Sequence, residues 1–308
     1  MFSKKNKMTQ FIVCCAIILS MKFTIYGNEL LSSYQPSPES DFKASINTEG
    51  TGVDISGYQG NDSVIYVPAT IQGFPVKTVN IHVDHRVTTL IISEGCEWVY
   101  VKRAIPYYDF PTNITRVYLP DSIEFYDLSN TKITEFEMPA NPNVSGLLPE
   151  TVTKATFRGT PPEILSSNAF RNTKITEIII PEGVKEIKFN AFFGCDFLKT
   201  VVLPDSLTRI GDEVFAGCSS LESVKIPNNV TTIDAGAFEY CTVLQSVNLP
   251  TSLQKLGGKV FANCINLVDL QIPESLSGFS MYDDFYNCPK LPFATQAQLR
   301  RMGYTSSF

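Results

Sequence analysis

Two histidines, His82 and His85, stand three positions apart with Asp84 between them, and they are the only imidazoles in the 308-residue chain. Imidazole can ligate a metal or act as a general base near neutral pH. A tetrahedral metal site needs a third and a fourth ligand, and the sequence offers none nearby. The run therefore reads as a chance surface cluster, and a hydrolase using His82 and His85 is the remote alternative. Cysteines are the next candidates: Cys195, Cys218, Cys241 and Cys264 recur at one constant interval, and Cys288 follows a single position late. Equivalent positions in stacked strands lie about 4.8 Å apart, a distance a disulfide accepts. Their Cβ vectors would be nearly parallel, however, and ligands in a row cannot surround an ion, so a ladder of free, buried thiols is expected. Cys96 stands alone and is expected to pack. Asp212 with Glu213, and Asp283 with Asp284, lack the alternating spacing of a calcium loop. Nucleophile elbow, zinc-binding helix, Walker loop and dinucleotide fingerprint are all missing from the sequence. The reading is of no enzyme, with no catalytic residue, no metal and no cofactor.

The elements that would carry the cysteines announce themselves by the same beat. Pro181, Pro204, Pro227, Pro250 and Pro273 keep that constant interval, as do Phe192, Phe215, Phe238 and Phe261, with Phe285 again one position late. A fixed period of about 23 residues signals one structural unit stacked many times, a repeat solenoid. Leu221, Val224, Ile226, Pro227, Val230, Ile233, Phe238 and Cys241 superimpose on Leu244, Val247, Leu249, Pro250, Leu253, Leu256, Phe261 and Cys264. In each unit the Leu-x-x-Val-x-Ile segment is predicted to be a strand with these side chains inward, in a parallel stack. Proline lacks a backbone donor, so it marks where the ladder stops and the chain bends. The second apolar pair lines the return path, and the phenylalanine fills the wider side of the coil.

Regular repeats are expected over residues 175–290. Irregular ones fill 87–174, with strand-like segments at Val87–Ile92, Ile114–Leu119, Ile133–Met138 and Val152–Phe157. The hexapeptide NTKITE, at Asn130 and again at Asn172, ties the two halves together. An N-terminal cap spans 42–86, where Val53–Ser56 and Val64–Val67 flank the turn residues Gln59, Gly60, Asn61 and Asp62 and predict a β-hairpin. A short C-terminal cap spans 291–308, with a helix expected over 294–302.

Ahead of these, Lys4, Lys5 and Lys7 precede the apolar run Phe11–Leu19, which is too short to span a bilayer comfortably. Residues 1–27 are expected to be a signal peptide, with an uncleaved anchor as the alternative, and 28–41 a tether. Losing 1–27 removes four lysines and no acid, leaving 21 basic against 31 acidic residues and a formal charge of −10. Such a surface repels phosphate backbones and anionic lipid, so neither a nucleic-acid partner nor adsorption to anionic lipid is expected; no integral membrane span in the mature chain is expected either.

The segments LESVKIPNNVTTIDAGAFEYC and LKTVVLPDSLTRIGDEVFAGC closely resemble the BspA-like leucine-rich repeat family, and GYQGNDSVIYVPATIQGFPVKTV resembles its opening cap. The resemblance covers roughly residues 50–292. It implies leucine-rich-repeat-like coils in a secreted or cell-surface protein that mediates protein–protein interaction or adhesion to host or matrix components. It carries over no binding residue, because the repeat motif is the scaffold. Candidate binding positions are instead the outward side chains of the strands: Tyr118, Glu137, Ile179, Val202, Lys225, Asn248 and Gln271. Beside them run Arg116, Glu135, Glu177, Thr200, Ser223, Ser246 and Asp269. The expected partner is an extracellular protein. The alternative is a glycan-binding surface protein, with Trp98, Tyr107, Tyr108 and Tyr118 as stacking platforms.

Overall fold

The computed structural model describes residues 33–83, 85–103, 112–141, 144–276 and 283–308. The signal-peptide stretch, the start of the tether, Tyr107, Tyr108 and the stretch 277–282, ahead of the late Phe285, lie outside the described residues.

Each coil supplies one strand to a front ladder and one to a return ladder, so the fold is a parallel β-solenoid. The front ladder runs Val64–Val67, Thr89–Ile92, Arg116–Tyr118, Glu135–Met138, Lys154–Phe157, Glu177–Ile179, Thr200–Val202, Ser223–Lys225, Ser246–Asn248 and Asp269–Leu270. Parallel register is direct in the regular part: Ile178 lies beside Val201, and Val224 beside Val247. Single backbone bonds carry the stack across the breaks between sheets, as from the Lys132 amide to the Ile114 carbonyl (2.7 Å). Alternation puts Ile178, Val201, Val224, Val247 and Leu270 inside while their neighbours face out.

The prolines end each front strand as expected. The carbonyls of Pro204, Pro227 and Pro250 each accept the amide three positions on, at 3.1 Å, which closes a tight turn. The return strand follows, and beyond it the chain needs a left-handed backbone twice per coil. One series is Asn168, Asn190, Glu213, Gly236, Lys259 and Asp283; the other is Asn172, Gly194, Gly217, Tyr240, Asn263 and Asn287. Asn and Gly tolerate that region, while the remaining residues occupy it at a cost of order 1–2 kcal/mol.

Between these two kinks sits the phenylalanine. Phe170, Phe192, Phe215, Phe238, Phe261 and Phe285 form one column, with successive centroids 5.2–5.7 Å apart and planes within 18°. Phe157 closes the column edge-on at one end and Tyr304 at the other, at 68° and 80°. The thiols run alongside, free and buried. Each donates to the phenylalanine carbonyl of the preceding coil: Cys195 to Phe170 (2.9 Å), Cys241 to Phe215 (3.1 Å), Cys288 to Phe261 (3.0 Å). Burial pushes the Cys195, Cys241 and Cys288 thiols up to about 12, so they stay protonated donors. Cys96 is likewise buried.

The N-terminal hairpin is built differently from the sequence expectation. Val53–Tyr58 pairs antiparallel with Phe42–Ile46, which precedes it, and parallel with the return strand Phe74–Val83. Val64–Val67 instead starts the front ladder, so the Gln59–Asp62 turn carries the chain across the coil rather than folding it back. Ser37 then closes the open edge of that first front strand: its amide donates to the Tyr66 carbonyl (2.9 Å) and its hydroxyl accepts from the Tyr66 amide (3.1 Å). At the far end the helix Phe293–Arg301 buries Leu299. Gln298 Nε2 donates to the Ile272 carbonyl (3.1 Å) just past the last front strand, so the terminal edge is covered by side chains.

Candidate functional site

The front ladder brings most of the predicted outward residues into one continuous row. Ile179 pairs with Val202, and Lys225 with Asn248, in adjacent strands. Ile179 and Val202 are 39% and 42% exposed, which makes a small apolar step in an otherwise polar surface. One rung was missing from within the predicted row, which starts after the strands Val64–Val67 and Thr89–Ile92: Lys154–Phe157 lies beside Glu135–Met138, so Lys154 and Thr156 sit next to Glu135 and Glu137. That strand was legible in the sequence, but the shortened step from Glu135 to Lys154 hid which of its side chains continue the row.

The two ends of the row differ in how free they are. Tyr118 is half-buried, and burial raises its phenol above the ordinary range. Glu137 is also raised by burial, an effect opposed by the nearby guanidinium of Arg158 at 3.8 Å. Arg158 is itself held by Asp121 (2.6 Å) and by the Leu119 carbonyl (2.7 Å), so this end is a fixed polar network. Toward the other end the row opens. Ser223, Lys225, Ser246, Asn248, Asp269 and Gln271, over Val224 and Val247, line a shallow depression of about 380 Å³. Hydroxyl, ammonium, amide and carboxylate groups thus converge on one open surface, suited to reading an extended backbone or polar side chains of a partner.

On the return ladder of the same coils the charges satisfy one another. Arg209 meets Glu186 (3.2 Å) and Asp234 (2.7 Å), and Lys255 meets Asp234 (3.2 Å). The bond to Asp234 raises the Arg209 guanidinium further above its already high value. Those side chains tie coils together and leave little to offer a ligand.

The two histidines lie at and just past the end of one return strand. His82 is exposed on the return strand Phe74–Val83, and His85 is exposed beyond its end. Among the described residues no group of three or more His, Cys, Asp or Glu side chains is placed to hold a metal ion. Of the proposed stacking aromatics, Trp98 and Tyr118 do not form one platform. Tyr118 belongs to the front ladder and Trp98 to the return strand Trp98–Arg103, so the two sit on different sheets. The sequence reading missed Tyr100 and Phe125, which the structure places against Trp98.

Comparison with known proteins places these coils. A family described as BspA type Leucine rich repeat region matches residues 163–292, in six copies. Among solved structures, a leucine-rich repeat protein of T. pallidum is 23% identical, with 89% of this chain and 99% of that chain covered and a TM-score of 0.38. A leucine-rich cell surface protein of Faecalibacterium prausnitzii is 15% identical over 90% of this chain and 100% of its own, with a TM-score of 0.33. The pneumococcal vaccine antigen PcpA is 17% identical over 72% of this chain and 67% of its own, with a TM-score of 0.38. No curated protein matches the chain.

Proposed function

Taking as premise that residues 163–292 are BspA-type leucine-rich repeats, we propose that the chain is an exported surface protein that binds a protein partner along its front ladder. Adhesion, to a host or matrix component, is the activity this reading assigns. One observation carries it: from coil to coil the buried positions hold the same residue types, while the outward row changes from Ile179 and Val202 to Lys225, Asn248 and Gln271 and ends in an open depression. Export rests on the basic and apolar segments of residues 1–27, with 28–41 as a tether, 42–86 and 291–308 as caps, and 87–174 and 175–290 as the irregular and regular repeats. Among the described residues no helix is long and apolar enough to cross a membrane.

The test is capture of extracellular proteins by residues 28–308, comparing the wild type with a Val202→Asp, Lys225→Glu double variant and with Lys255→Glu on the return ladder. The double variant is expected to lose a partner that the wild type and Lys255→Glu retain, while melting together with the wild type. Retention by the double variant would remove the front ladder as the site.

A further inference from the structure

The outward face of the return ladder in the early coils is unlike any other surface of the described molecule. Alternation buries Val79, Val99 and Tyr126 and turns Thr78, Trp98, Phe125 and Ser145 outward in one row. Asn80, Tyr100, Asp127 and Leu147 form the row beside it. The rings of Trp98, Tyr100 and Phe125 are in mutual contact, with centroids 6.5, 5.7 and 5.4 Å apart and planes within 38° of one another. The three rings thus lie together as one aromatic cluster, half-buried at Tyr100 and Phe125 and exposed at Trp98. Trp98 is 40% exposed and Leu147 41%. In later coils the equivalent outward positions are Glu186, Arg209, Thr232 and Lys255, so the aromatic character is confined to this part of the sheet.

We propose that this face is a second binding site, which stacks Trp98, Tyr100 and Phe125 against the apolar faces of sugar rings in an uncharged glycan. Pyranose rings present C–H groups on their faces and hydroxyls at their rims. Here the aromatic cluster would meet the faces, and Thr78, Ser145 and Asp127 stand beside it as hydroxyl and carboxylate partners for the rim. Charge selects the class. Asp54, which pairs with Thr78, and Asp127 are the charged side chains of the two rows, so sulfated or uronic chains are repelled and neutral ones accepted. Asp127 is held in place by Ser129, whose amide and hydroxyl donate to its Oδ1 at 3.1 and 2.6 Å.

Trp98 is the single tryptophan of the chain, so its emission reads this face alone. Residues 28–308 would be titrated with the hexasaccharides of β-linked glucose, β-linked N-acetylglucosamine and β-linked mannose. A saturable blue shift with at least one of them is the expected result. Tyr100→Ala and Phe125→Ala should weaken that binding about tenfold each, whereas Lys225→Glu, on the front ladder, should leave it unchanged. A front-ladder partner lost in the Val202→Asp, Lys225→Glu variant leaves this titration untouched, so the two sites fail or survive separately. Silence with all three sugars overturns the proposal. Unchanged affinity in Phe125→Ala also overturns it, as does a shift that follows protein concentration without sugar, which would assign the face to a second copy.

Discussion

The coils from Val64 to Leu147 and those from Lys154 to Cys288 share a front ladder and differ in how they close. In the early coils the chain returns along a real strand, ten residues in Phe74–Val83 and six in Trp98–Arg103. In the late coils that strand shrinks to two residues, and the length saved becomes a kinked segment holding one phenylalanine and one thiol. A strand can lengthen or shorten without disturbing its neighbours, and the early spacing wanders accordingly: Thr89 pairs with Arg116, but Glu135 with Lys154. A ring column allows no such freedom, because each ring must lie over the next. The strict period is therefore the signature of the phenylalanine stack, and the ragged region is where a wide, adaptable sheet takes its place.

The largest expected effect breaks that column in its middle. Phe238→Ala should cost about 3–5 kcal/mol in urea unfolding, because a fully buried ring between two others leaves a cavity. Phe125→Ala, on the open early sheet, should cost about 1 kcal/mol or less. Equal losses would erase the distinction between the two closures.

A second effect lies at the column's end. Asp284 occupies the place held by Ala191, Val214, Ala237 and Val260 in earlier coils and is fully buried. Its Oδ1 accepts the Lys259 amide at 3.0 Å, but its Oδ2 has no partner among the described residues. Burial, reinforced by Asp283, raises its pKa from 3.8 to about 8. The folded value lies above the unfolded one, so the folded chain holds the proton more tightly. The contribution of this group to stability is then greatest below about pH 4, falls as pH rises toward 8 and levels off beyond. Asp284→Val should flatten this slope and add about 1–3 kcal/mol at pH 8, read as melting temperatures at pH 5 and pH 8. An unchanged slope would place the pH dependence elsewhere.

The smallest effect concerns the kinks. Lys259 has φ +60° where Gly236 serves in the preceding coil. Lys259→Gly should raise stability by up to about 1 kcal/mol, the relief of a left-handed backbone less the added freedom of the unfolded chain. A loss in thermal unfolding would mean that the Lys259 side chain matters more than its backbone.

What the sequence made legible follows the same division. The phenylalanine, proline and cysteine series were readable because stacking imposes equal spacing. Phe170 begins the column but escaped notice, since the step from it to Phe192 falls one position short of the period and Thr173 stands in place of a cysteine. The left-handed positions were hidden where Glu213, Tyr240 and Lys259 fill them, because those residue types do not advertise that backbone. The hairpin at Val53 was assigned the wrong partner, because turn residues show that a chain bends and not which strand it meets. From Tyr118 onward the front row was read but for Lys154 and Thr156, while the first two rungs, Val64–Val67 and Thr89–Ile92, were left out of it. Tyr100 and Phe125 were missed because no period links residues in coils of unequal length.

Hydrogen exchange on Phe238→Ala tests most directly whether the late coils form one cooperative column while the early sheet stands apart. The account predicts faster exchange at the ring amides of neighbouring coils, which bond coil to coil from Phe192 to Val214, Phe215 to Ala237 and Phe261 to Asp284, with residues 64–103 and 125–147 unchanged. Acceleration confined to the mutated coil, or spread equally into the early sheet, would contradict it.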